Sequence, residues 1–150
     1  MCPKPPLPRW LRPAPAWEQV WWAVEPSLPL AGLEALETAL ADDDPALVQG
    51  CTVYGRPTKM ACLIAYAVWQ GLGLTDPDDV EQAFGRVLFE ADERLGECGG
   101  TRWLLTPWDA WPRKEAFAAL LPLVTEARRA REESQRLTEE TPCTAATAGD

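Results

Sequence analysis

A chain of 150 residues is close to the commonest size of one domain, and at that length roughly 70% of the unfolded surface can be buried around a single core. Its 47% apolar and 25% charged residues are those of an ordinary soluble globular protein, and its formal charge of -9 makes it strongly acidic. There is no histidine, which excludes Ser-His-Asp triads, Cys-His dyads, zincins and facial-triad iron sites.

The five cysteines, Cys2, Cys51, Cys62, Cys98 and Cys143, stand 49, 11, 36 and 45 residues apart. No CxxC pair can seed a zinc ribbon, an iron-sulfur cluster or a thioredoxin-like site, so neither a metal nor another cofactor is expected. The odd count and wide scatter suit reduced thiols in a cytoplasmic protein. No secretory signal is readable at the N-terminus, where prolines interrupt every apolar stretch. The longest apolar run, Met60 to Trp69, has ten residues, half of the 20 or so that cross a bilayer as a helix.

In chain order, residues 1–15 form a Pro-rich arm of extended, partly polyproline character, whose Leu7 and Trp10 remain able to dock on the body. Trp17, Val20, Trp21 and Val24 recur at helical spacing and predict a short helix over 16–25, ended by Pro26. Leu30, Leu33, Leu36 and Leu40 form the stripe of a second helix, which runs out at Asp42, Asp43, Asp44 and Pro45. Thr52 to Tyr54 is the one β-like stretch. Pro57 disfavours helix at Arg56, and a helix capped by Thr58 is predicted to follow. Because 60–69 is apolar all round, that helix, about 58–71, should be the buried centre of the fold, closed by Gly71 and Gly73.

Asp76-Pro77 then reads as an N-cap with proline at the first helical position, opening a helix striped by Val80, Ala83, Phe84, Val87, Leu88, Ala91 and Leu95 and stopped by Gly96. Residues 101–114 show no helical period and predict an ordered loop that holds Trp103, Trp108 and Trp111. A last helix starts near Pro112 and buries Phe117, Leu120, Leu121 and Val124, with Pro122 expected to bend or split it. Beyond Ala127 only i,i+4 charge pairs such as Arg128 with Glu132 support it. The architecture expected is all-α: a compact bundle of four to five helices around the central one, a single domain over 16–136, and a disordered acidic tail over 137–150.

Charge is distributed unevenly. Residues 26–54 carry five acids and no base, and 76–100 carry eight acids against two bases, whereas 55–75 and 101–114 are basic islands. In the first island Arg56, Thr58 and Lys59 combine two cations, a hydroxyl and a predicted helix N-terminus, the makings of an anion site. The same residues also suit a plain helix start whose cations pair with neighbouring acids. In the second island Arg102, Trp103, Trp108, Trp111 and Arg113 are candidates for a partner- or ligand-binding surface, since Trp and Arg dominate interface energetics. The competing role for these tryptophans is to plug the end of the bundle.

The helix pair flanking Gly71 to Asp76 has acids where a groove-reading helix needs bases, which argues against nucleic-acid binding. The aspartate clusters lack EF-hand spacing and read as helix ends. Cys62 should be a buried apolar thiol with a raised pKa, and Cys51, beside the first island, is the thiol to test for reactivity. No catalytic residue is identifiable. The leading functional reading is a small acidic interaction or regulatory protein that binds a protein partner through the Trp-rich loop and acidic helical faces, without a membrane contact. The second is an anion- or nucleotide-binding domain, with or without an enzymatic step, that uses Arg56/Lys59 and Arg102/Arg113. The pattern assigns no oligomeric state.

Overall fold

The computed structural model describes residues 17–103 and 107–140. The 1–15 arm and the tail beyond 140 lie outside the described residues. Six α-helices run through the described chain: α1 (Trp17–Val24), α2 (Leu30–Asp42), α3 (Leu63–Leu72), α4 (Pro77–Leu95), α5 (Gly99–Trp103) and α6 (Arg113–Glu140). A 3₁₀ turn, Glu25–Ser27, joins α1 to α2, and a small antiparallel pair, β1 (Val53–Tyr54) with β2 (Met60–Ala61), precedes α3. The all-α architecture is as the sequence predicts. One more helix is present than expected, because residues at the start of the supposed Trp-rich loop form α5.

The termini of α4 follow their chemistry closely. The Asp76 carboxylate accepts the Asp78 N–H at 2.9 Å, Pro77 occupies the first turn, and Gly96 closes the helix in the left-handed region at φ 72°. α2 ends at the aspartates as expected, with Asp43 itself left-handed at φ 53°. There the Asp44 carboxylate accepts the Ala46 N–H and the Tyr66 hydroxyl, each at 2.9 Å. Burial of the phenol and this contact with a carboxylate raise the Tyr66 pKa well above its ordinary value.

The central helix starts later than predicted. Met60 and Ala61 pair with Tyr54 and Val53 as strand, and α3 opens only at Leu63 after an extended Cys62. An apolar run satisfies a buried strand as well as a buried helix, and here the hairpin decides. Gly55 turns it with φ 97°, and a Cβ there would lie 2.9 Å from Lys59 Cγ and the Pro57 carbonyl oxygen. Once begun, α3 is central as expected, with Leu63 to Val68 all buried.

α5 forms because Asp92 supplies its cap, accepting the Gly100 N–H at 2.8 Å and the Thr101 hydroxyl at 2.9 Å. α6 is continuous through Pro122, which sits on its exposed side, where the Ala118 carbonyl that loses its donor can bond to water. It also continues four residues past the expected boundary at 136, to Glu140. α6 packs antiparallel to α2. Its start meets the α2 C-terminus through Arg113, Arg128 pairs with Glu37 at 2.9 Å, and Arg131 reaches the 3₁₀ turn, bonding the Leu28 and Glu25 carbonyls and the Glu25 carboxylate.

All of these elements share one hydrophobic cluster, in which Leu33, Leu36, Ala67, Leu120 and Val124 are each 0% exposed. Phe84 and Leu88, expected inside, are only half-buried against it. Fully burying each large aliphatic chain is worth about 1.5–3 kcal/mol, so this cluster dominates stability. α2 and α3 cross at glycines. A Cβ on Gly71 would stand 2.7 Å from the Gly32 nitrogen, and one on Gly32 would stand 2.5 Å from the Ala67 carbonyl oxygen.

Candidate functional site

The tryptophan segment lies mostly inside the protein. Trp103 is 3% and Trp108 1% exposed, with ring centroids 5.8 Å apart. Trp111 is half-buried, 6.5 Å from Trp103 and 5.4 Å from Trp17. The expectation of an exposed aromatic surface is therefore corrected for Trp103 and Trp108: too much apolar area would face water, and the end of the bundle takes it up. The Arg102 side chain lies outside the described structure. The Trp108 indole N–H is buried without a hydrogen-bond partner.

Contacts with residues 49 and 50 hold this segment down. The Gln49 amide donates to the carbonyls of Trp108 and Trp111, each at 2.6 Å, and the Asp109 carboxylate accepts the Gly50 N–H at 2.8 Å. Arg113 completes the closure. It donates to the Asp43 carboxylate at 2.8 Å and to the Leu47 and Asp44 carbonyls at 2.5 and 2.8 Å, with its guanidinium carbon 4.3 Å from the Phe117 ring centroid. Arg113 thus serves as a clamp between 43–47 and α6 rather than as a cation free for a ligand.

In the first island, Arg56 faces Asp76 and Asp78 at 3.4 and 3.3 Å. Thr58 is buried, and its hydroxyl donates to the Thr75 carbonyl at 3.0 Å. The N–H of Thr58 also bonds to Thr75 and that of Lys59 to Tyr54, each at 2.8 Å. No helix begins here, so the array of free N–H groups on which the anion-site expectation rested does not exist. Arg56 engages two carboxylates, whereas Arg113 engages a different carboxylate and two backbone carbonyls.

Between α2 and the first turns of α6 lies a groove of about 500 Å³, lined by Leu40, Ala41, Asp43, Arg113, Lys114, Phe117, Ala118 and Leu121. It is roomier than the cavity of about 220 Å³ that Cys51, Cys62, Trp108 and Asp109 help to line. Its volume is in the range typical of binding clefts. Of its charged lining residues, Asp43 pairs with Arg113 and Lys114 is exposed, and the negative end of the α2 dipole lies at the same end. Sequence reading placed Leu40, Phe117 and Leu121 in the core and passed over Ala41, Lys114 and Ala118. The available signal was a second stripe on α6, positions 114, 117, 118 and 121, beside the core stripe 117, 120, 124 and 127.

Cys62 is buried as expected, and desolvation pushes its thiol up to about 11, while Cys51 and Cys98 are exposed. Among the described residues no group of three His, Cys, Asp or Glu side chains could hold a metal ion, and no helix is long and apolar enough to cross a membrane. No protein-family model matches this chain, and no curated protein or solved structure compared with it matches either.

Proposed function

We propose that this chain is a cytoplasmic interaction protein that docks a basic, apolar-anchored segment of a protein partner in the groove between α2 and α6. The observation that carries the reading is the groove itself: an apolar floor of Leu40, Ala41, Phe117, Ala118 and Leu121 beside the acidic C-terminal end of α2, where Asp43 lines it. An amphipathic or extended segment buries its apolar side chains on such a floor while its cations face the acidic end of α2. The tryptophan segment then contributes as support, because Trp108, Gln49 and Arg113 fix the α6 end of the groove. The anion- or nucleotide-binding reading has no comparable support, since Arg56 and Arg113 are already engaged by acids and backbone carbonyls.

Selection of a random displayed-peptide library on the full chain tests this. Peptides that emerge should carry Lys or Arg beside two or more large apolar residues, and should lose at least ten-fold in affinity for the Ala118→Arg variant. Ala118 is exposed, so the arginine fills the groove from its solvent side and leaves the core intact. Failure to select any peptide, or peptides indifferent to Ala118→Arg in a variant of unchanged circular dichroism, would overturn the reading.

A further inference from the structure

We infer that Cys51 and Cys62 form an oxidisable pair: a small hydroperoxide oxidises Cys51, and Cys62 closes the resulting sulfenic acid into a disulfide. This modification site is separate from the α2–α6 groove and does not depend on it. The two residues meet at one cavity. Both line the space of about 220 Å³ whose apolar walls include Phe84, Leu88 and Trp108.

The path of the chain accounts for the meeting. The β1–β2 register sets Val53 opposite Ala61, and one step further the Cys62 N–H donates to the Thr52 carbonyl at 2.9 Å. Opposed residues bonded in this way lie about 5.5 Å apart at Cα. Cys51 is one step of ~3.8 Å from Thr52. In a straight strand Cys51 and Thr52 would face opposite sides, but the chain bends at Thr52, and both residues line the cavity that Cys62 lines. A disulfide spans Cα atoms about 4.4–6.8 Å apart. Cys51 carries no hydrogen bond to a described residue, so little holds it back from that span.

The two thiols divide the chemistry. Cys51 is exposed, whereas Cys62 is 5% exposed and its desolvated thiol resists ionisation. The thiolate is the form that attacks a peroxide, so oxidation starts at Cys51. Its sulfur takes one oxygen and becomes S–OH as the O–O bond breaks, and the hydroperoxide is reduced to an alcohol, or to water where it is hydrogen peroxide. The Cys62 sulfur then attacks the Cys51 sulfur. The S–S bond forms, the S–O bond breaks, and the hydroxyl leaves as water with the Cys62 proton. Negative charge developing on Cys62 is favoured by the Ile64 and Ala65 N–H groups at the start of α3, which act against the effect of burial. Placement in one cavity makes this second step intramolecular and fast.

Oxidation of the full chain tests the pair in a background of Cys2→Ser, Cys98→Ser and Cys143→Ser. Trypsin cuts after Lys59 and Arg86 but poorly before the prolines that follow Arg12 and Arg56, so the two thiols fall in separate peptides, 10–59 and 60–86. After tert-butyl hydroperoxide treatment and digestion, monomeric protein should yield these peptides joined, and dithiothreitol should part them. The link should form at least ten-fold more slowly in guanidinium-unfolded chain. Equal rates would show that the fold does not bring the thiols together and would overturn the inference.

Dimedone, which traps sulfenic acid, should label Cys51 at least ten-fold more in Cys62→Ser than in the same background with Cys62 intact. Equal labelling overturns the inference. So does Cys51 advancing to sulfinic acid while Cys62 stays reduced, or a disulfide found only between two copies of the chain. In Cys51→Ser, Cys62 should remain reduced at the same dose, and its oxidation there would overturn the assignment of Cys51 as the thiol attacked.

Discussion

The two basic islands are alike in the sequence: each is a short stretch of cations, a proline and aromatics in an acidic chain. In the structure they differ in what the arginine touches. Arg56 has a side chain 65% exposed and meets two exposed carboxylates at 3.3 Å or more, a pair that solvent screens and side-chain entropy offsets. Arg113, 34% exposed, spends its donors on two backbone carbonyls and one carboxylate of a segment about 70 residues away. A carbonyl half-buried by a loop has few other donors available, so the cation that reaches it becomes part of the fold. A local excess of positive charge therefore says little about ligand binding until the acceptors are known.

Four variants sharpen that contrast. Trp108→Ala should have the largest effect, about 3–5 kcal/mol of lost stability, because it empties the buried end of the bundle that the Arg113 clamp closes. A loss under 1 kcal/mol in denaturant titration would mean that the indole is not core. Arg113→Ala should follow at about 2 kcal/mol, the cost of unpairing half-buried carbonyls and losing a charged donor, discounted for its partial exposure. A chemical-denaturation midpoint equal to that of the parent would put Arg113 in the same class as Arg56.

The Glu37–Arg128 pair is intermediate, and its signature is pH. Burial alone raises the Glu37 pKa, but hydrogen bonds from Arg128 and Thr125 and the charges of Arg128 and Arg129 outweigh it and hold the carboxyl below its usual value. A carboxylate with a depressed folded-state pKa gives stability that is present above the unfolded value and is lost as pH falls through the folded one. Glu37→Gln should therefore flatten the acid limb of the stability curve below about pH 4. An acid limb identical to that of the parent would show that the pair contributes nothing. Arg56→Ala is the smallest, with a change within about 0.5 kcal/mol. A larger loss would show that the hairpin depends on its acidic neighbours after all.

The parts of the fold written in local chemistry were legible in advance. α4 carries its cap, its proline, its stripe and its glycine stop within its own residues. The stretch 58–62 was not legible, because an apolar run fits strand or helix and the hairpin depends on how Gly55 and the Thr75 carbonyl organise the turn. The clamp was equally hidden. Gln49 acts on Trp108 and Trp111 from about 60 residues away, and nothing in its neighbourhood marks it. The groove was half visible, since Phe117 and Leu121 were counted as core and only the packing of α2 against α6 leaves part of their surface uncovered.

The crossing of α2 over α3 bears on how such a groove can respond to an occupant. At Gly32 and Gly71 the two backbones meet with no intervening side chain, and any sliding would drive main-chain atoms into each other. Side chains yield by changing rotamer, whereas touching backbones cannot. α2 is therefore the stiff wall, braced from behind by the central helix. The opposite wall, α6, is tied to α2 by side chains, Arg113 to Asp43 and Arg128 to Glu37, which can change rotamer where touching backbones cannot.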